Sequence, residues 1–252
     1  MPILMFRPLP TCFLGLFGDG SWQGPAAQAM TPRSEWLVDS FGPDPRDLLP
    51  DAPASVRVFV FAGPFDSPLW AALVNDWLPC LRQLGHTVIF LRVEPRWPRE
   101  FPGRHRLVQK IRRGGGLLLS VPPLAGPSSG PHAQQLQSLL LLLTLLLESL
   151  NTRSLERFQS VLDEGRGCRW FLGMSPQSGL EALESAALTR LEGLEPKYLW
   201  ALLSTPPGAG SDIQAQGCLD ALQEVFYRDT DVQVFQAEHA PEEFRLLALL
   251  WP

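Results

Sequence analysis

The chain has 252 residues, 45% of them hydrophobic and 19% charged, with a formal net charge of −5. That length holds one large domain or two small ones. The balance excludes a chain disordered throughout, and the charge excludes one that binds nucleic acid by its overall field.

Residues 1–54 are rich in Pro and Gly, as in GPAAQAMTP and FGPDPRDLLPDAPA. Periodicity is hard to find there, so the segment reads as an irregular N-terminal arm with Trp36, Leu37 and Phe41 docking on the fold. The first twenty residues are apolar, but Arg7 interrupts them and Pro2, Pro8 and Pro10 break a helix, so no signal peptide is expected.

The clearest pattern follows. Val56–Ala62, VRVFVFA, is a β-branched and aromatic run and predicts a buried strand. Ser67 can cap a helix over Pro68–Leu84, kinked at Pro79 and ended by Gly85. Thr87–Val93, TVIFLRV, predicts a second strand, and a strand–helix–strand unit implies parallel strands with a right-handed crossover. Arg104–Arg113 predicts a helix and Gly116–Val121 a third strand. After the loop PPLAGPSSGPH, helices are expected over Gln134–Leu150 and Ser154–Glu164, with Thr152 as N-cap of the latter. From Cys168 the pattern predicts helices over Gly179–Leu191, Pro196–Leu203, Asp212–Tyr227 and Pro241–Leu250, and a short strand over Val232–Phe235. The expected fold is α/β. A three-layer parallel sheet spans 55–166, behind the arm of 1–54, and a mainly helical part spans 167–252.

Chemistry is sparse. The four cysteines (Cys12, Cys80, Cys168, Cys218) and four histidines (His86, His105, His132, His239) are scattered, so no metal site is expected. GPFDSP after the first strand is neither G-x-G-x-x-G nor a phosphate loop, and Gly114–Gly116 precede a strand instead of following one. Asp66 at the end of that strand reads as a turn residue. G-x-S-x-G is absent and no carboxylate pair stands out, so neither an enzyme nor a cofactor is expected. The leucine run 139–147 has nine residues, about 14 Å of helix against a hydrocarbon core of about 30 Å, so no membrane span is expected.

Two patterns point to binding. Arg92, Arg96, Arg99, Arg104, Arg106, Lys110, Arg112 and Arg113 make a basic segment over Arg92–Arg113, with Trp97 and Phe101 interleaved and its core at Arg104–Arg113, which suits single-stranded RNA. LxxLL occurs at Leu136–Leu140, Leu199–Leu203 and Leu246–Leu250. Leucines at i, i+3 and i+4 share one helical face and can dock in an apolar groove. With 45 leucines in the chain, three copies exceed chance only slightly, and core packing explains the same spacing. Leu246, Leu249 and Leu250 at the C-terminus, and Leu136, Leu139 and Leu140 after the loop, are the accessible pair.

The residues VRVFVFA, LRQLGHTVIFLRV, KIRRGGGLLLSV, LQSLL and LLLESLNTRSLERFQSVLDEGR resemble the α/β domain of nuclear receptor coactivator 5, itself similar to the anticodon-binding domain of class II tRNA synthetases. The resemblance covers under half the chain, which lacks the coactivator's charged N-terminal region and continues beyond Arg166. It implies that Leu136, Leu139 and Leu140 form a receptor box by position. The resulting expectation is a non-enzymatic transcriptional coactivator or coregulator, nuclear or else cytoplasmic, docking LxxLL helices into a nuclear receptor. The alternatives are an RNA-binding module and a subunit of a larger complex.

Overall fold

A strand that is apolar on both faces needs a helical layer on each side, and VRVFVFA at 56–62 is such a strand. The computed structural model of the chain describes residues 11–16, 36–40, 56–64, 69–93, 103–121, 131–186, 195–226, 229–238 and 242–252. Strands β1 (Thr11–Leu16), β2 (Trp36–Ser40), β3 (Val56–Pro64), β4 (Thr87–Val93) and β5 (Leu117–Val121) form one sheet in the order β2-β1-β3-β4-β5. Every neighbouring pair in it is parallel. The parallel α/β expectation therefore holds, with one correction. Residues 11–16 and 36–40 belong to the sheet and not to an irregular arm. The expected docking of Trp36, Leu37 and Phe41 falls on side chains outside the described residues.

The helix after β3 begins at Leu69, so the expected Ser67 cap lies outside the described residues. This helix, α1, runs Leu69–Ala72, widens into a π-helical turn at Leu73–Trp77 and resumes as Leu78–Gln83. The expected irregularity at Pro79 takes this form. Proline has no N–H for the carbonyl four residues back and its ring clashes with it, and a wider turn relieves both. The Leu78 N–H reaches back five residues to the Leu73 carbonyl. Helix α2 spans Arg104–Arg113, and the glycines after it end the helix and start β5. Gly115 has φ +73°, and a side chain there would meet Asp163 and Arg82.

Helix α3 (Pro131–Ser149) carries the leucine run, and α4 (Thr152–Asp163) follows it. The cap of α4 is Asn151 and not Thr152: its Oδ1 accepts the Ser154 N–H at 2.9 Å. Beyond α4 lies the larger correction. The second half is not mainly helical. It holds a second sheet of β6 (Arg169–Ser175), β7 (Tyr198–Thr205), β8 (Asp231–Glu238) and β9 (Phe244–Trp251), in the order β6-β9-β7-β8. The two short helices α5 (Gly179–Ser185) and α6 (Ser211–Val225) cover one face. YLWALLST and FRLLALLW, expected as helices, are β7 and β9. Both are buried on both faces, and a continuous apolar run of that length has no period to separate strand from helix.

The result is five layers. Phe59, Phe61, Val88, Phe90 and Leu118 of the first sheet pack on α1 and α2. The opposite face of that sheet packs on the leucines of α3 and on Phe158, Val161 and Leu162 of α4. These helices pack in turn on Trp200, Leu202, Leu247, Leu249 and Trp251 of the second sheet. The outer face of the second sheet packs on α5 and α6. A helix held between two sheets must be apolar nearly all round, which accounts for LLLLLTLLL. Its one polar member, Thr144, donates to the Leu140 carbonyl of the preceding turn at 2.8 Å.

Candidate functional site

In an open parallel sheet, ligands bind beyond the carboxyl ends of the strands, where the order of connection reverses. Here the chain leaves β1 to one side to form β2, then returns across β1 to form β3, so the reversal lies between β1 and β3. One row of this edge interrupts the apolar strands, and the row beyond it, Pro64, Val93 and Val121, is apolar again. Gly63 of β3, Arg92 of β4 and Ser120 of β5 stand in register across three strands. Strand alternation places the Arg92 side chain on the face that carries α1 and α2. Its Nη2 donates to Ser120 Oγ at 2.6 Å. The edge thus holds one guanidinium and one hydroxyl beside a glycine. Positive charge and a close backbone approach are features that suit an anion.

The second sheet reaches the same edge. The Trp170 indole N–H of β6 donates to the Ser120 carbonyl at 2.7 Å. In sequence, β1 is followed by FGDGSWQG and β3 by FDSP, both outside the described residues. The sequence did not place β1 beside this edge, because residues 11–16 read as part of an arm. The available signal was an apolar run followed by Gly18-x-Gly20.

The residues singled out from sequence are not together here. Leu139 and Leu140 are buried in α3, and Leu246, Leu249 and Leu250 are buried in β9. Leu136 lies in α3, its side chain outside the described residues. The last three form no helix, and none of these five described leucines faces solvent, because each belongs to the contact between layers. The basic residues lie on α2. Arg106, Lys110 and Arg113 share its exposed face, Lys110 donating to Asn75 Oδ1 at 2.7 Å. Arg104 is partly buried. Arg112 is turned inward against Gly167, with its Nε buried and unpartnered. Away from the sheet edge, an open cleft of about 450 Å³ lies between α6 and β8, lined by Asp212, Gln216, Leu219, Val234, Phe235 and Gln236 and by Ser149 at the end of α3.

At the carboxyl end of α4, Glu164 accepts hydrogen bonds from the Tyr198 hydroxyl, from Lys197 Nζ at 2.9 Å and from Arg166 Nε at 2.9 Å. The Tyr198 hydrogen bond first, then Lys197, hold its carboxyl down at about 2. This cluster ties α4 to the start of β7 and is structural. Among the described residues, no helix is long and apolar enough to cross a membrane.

No protein-family model matches the chain, and no curated protein matches its sequence. Solved structures match its fold. An empty FtsZ dimer from M. jannaschii superposes with a TM-score of 0.66 at 10% identity, over 99% of this chain and 90% of that one. CetZ from Methanosaeta thermophila gives 0.65 at 12% identity, over 96% and 86%. TubZ from Bacillus thuringiensis, as GDP-form protofilaments, gives 0.57 at 9% identity, over 97% and 86%. The chain has the FtsZ/tubulin-like fold. This overturns the resemblance to nuclear receptor coactivator 5. The transcriptional role, the nuclear receptor and RNA partners and the nuclear placement fall with it. The strand–helix–strand segments that carried the resemblance are common to many parallel α/β sheets.

Proposed function

We propose that this protein binds a guanine nucleotide and assembles with copies of itself into filaments. The observation that carries this reading is the complete two-sheet architecture, matched over nearly the full length of an FtsZ solved as a dimer and of a TubZ solved as GDP-form protofilaments. The nucleotide belongs at the carboxyl edge of the parallel sheet, between β1 and β3, with Arg92 of the neighbouring strand β4 adding positive charge to the same edge.

The sequences found after β1 and at the end of β3 differ in how well they suit a phosphate. GPFDSP, which ends β3 and continues beyond it, suits it poorly: Pro64 and Pro68 have no N–H to offer, and Asp66 adds a negative charge. FGDGSWQG after β1 also carries an acid, Asp19, but it has no proline and so keeps its N–H groups. Gly18, Gly20 and Gly24 are spaced nearly as in the glycine-rich turns that let a backbone approach phosphate closely. The phosphates are therefore assigned to the segment that follows β1 in sequence. This reading admits hydrolysis of the nucleotide, and the expectation of a non-enzyme is not kept.

The test is binding of a fluorescent GDP analogue to the purified chain, competed by GDP and by ATP. Saturable binding competed by GDP and not by ATP is expected, and Gly20→Val should weaken it. No binding at about 1 mM, where an affinity as weak as about −4 kcal/mol is visible, overturns the nucleotide half of the reading.

A further inference from the structure

The two outer layers of the molecule carry opposite charge. Residues 168–252 hold twelve Asp and Glu against five Lys and Arg, whereas 1–167 hold fourteen against sixteen. The contrast is sharpest on two helices. Helix α2 has five basic residues and no acid, and α6 has Asp212, Asp220 and Glu224 and no base. α2 packs on the outer face of the first sheet and α6 on the outer face of the second, with α3 between the sheets. The two helices therefore look out in opposite directions.

Each helix presents its charges as a stripe. On α2, Arg106, Lys110 and Arg113 recur at i, i+4 and i+7, all exposed, over about 10 Å. On α6, Ile213, Gly217, Asp220 and Glu224 recur at i, i+4, i+7 and i+11, over about 16 Å. Ile213 is 78% exposed, and nothing lies within 4 Å of a side chain built at Gly217. The field of each helix does not explain these positions. Arg106 lies in the first turn of α2, where a helix disfavours a base, and Glu224 lies in the last turn of α6, where it disfavours an acid. Among the described residues neither has an ion-pair partner.

We infer that the basic α2 face of one copy docks on the acidic, Ile213-bearing α6 face of a second copy. The inference rests on the reading of the chain as self-assembling, and it assigns a contact surface to that assembly. The two patches differ and lie on opposite layers, so the contact is heterologous. Unless the rotation between copies closes a ring, it propagates as an open array. Two stripes of opposite sign make it dependent on salt, since exposed charges are screened beyond about 8 Å at physiological ionic strength.

The test is charge reversal followed by light scattering and sedimentation, with GTP and at low salt. One variant is Arg106→Glu with Arg113→Glu, and the other is Asp220→Lys with Glu224→Lys. All four side chains are exposed, and an unchanged circular dichroism spectrum confirms that each variant folds. Each variant alone places like charges across the contact and should raise the concentration needed for assembly at least about tenfold. An equimolar mixture places opposite charges across every contact and should restore assembly. Assembly of both variants at the level of the unaltered chain overturns this inference alone and leaves the proposed function standing. So does a mixture that fails to recover when each variant has lost assembly. Failure of the unaltered chain to assemble under any of these conditions overturns both.

Discussion

The indole N–H of Trp170 donates to the carbonyl oxygen of Ser120 at 2.7 Å, joining β6 to β5. Each is an edge strand of its own sheet, so this hydrogen bond links the two sheets directly, beside the Arg92–Ser120 pair at the carboxyl edge. Trp170→Phe keeps most of the apolar contact and removes the donor. It should destabilise the protein by about 1 kcal/mol, the usual net worth of such a bond, read as a lower urea midpoint with an unchanged slope.

A second prediction concerns α3. Leu139 is fully buried in the core cluster that spans both sheets. Leu139→Ala should cost about 2–5 kcal/mol in urea unfolding, the range for truncation in a close-packed core. A loss under about 0.5 kcal/mol, typical of a surface substitution, would mean that this leucine faces solvent.

A third prediction isolates a close approach. A side-chain carbon at Gly173 in β6 would lie 1.8 Å from the Ala182 carbonyl oxygen of α5 and 2.8 Å from the backbone nitrogen of Ala186, its C-cap. The helix is held there by Ser185 Oγ, which accepts the Met174 N–H at 2.8 Å. Gly173→Ala should therefore destabilise by about 1–3 kcal/mol or more through overpacking. Gly217→Ala, with open space around it, should be neutral or stabilising, because Ala is the better helix former. Thermal melts of the two variants check the contrast.

A fourth prediction concerns pH. Glu164 is held down from 4.5 to about 2 by Tyr198 and then Lys197. A carboxyl with a lowered folded-state pKa stabilises the fold above its unfolded pKa, and that stability is lost as pH falls through the folded value. The contribution should be intact at pH 6 and decline between about 4.5 and about 2. Its size is limited by exposure and by salt. Glu164→Gln should flatten the stability profile in that window, as measured by urea midpoints against pH.

Much of the first unit was legible in the sequence. β4 and α2 have the bounds that the sequence predicts, because TVIFLRV is bounded by Gly85-His86 on one side and RHRLVQKIRR keeps a helical period up to Gly114. The second sheet was not legible. Leu199–Leu203 and Leu246–Leu250 satisfy LxxLL only because β7 and β9 are central strands with apolar side chains on both faces, and leucine supplies nearly all of them. The same bias hid β1, since TCFLGL lies within a Pro- and Gly-rich context. The site was hidden with it, because a carboxyl-edge site between β1 and β3 cannot be located before β1 is a strand. Its two described polar groups, Arg92 and Ser120, lie 28 residues apart and meet only through strand register.

Nucleotide-dependent self-assembly can be followed by right-angle light scattering. The purified chain is followed at low salt, first without nucleotide and then after addition of GTP, with electron microscopy of the end point. Scattering should rise on GTP addition, with filaments on the grid and reversal at high salt. A signal that stays at the monomer level with GTP, at protein concentrations up to about 1 mM, where even a contact of about −4 kcal/mol would register, would contradict it.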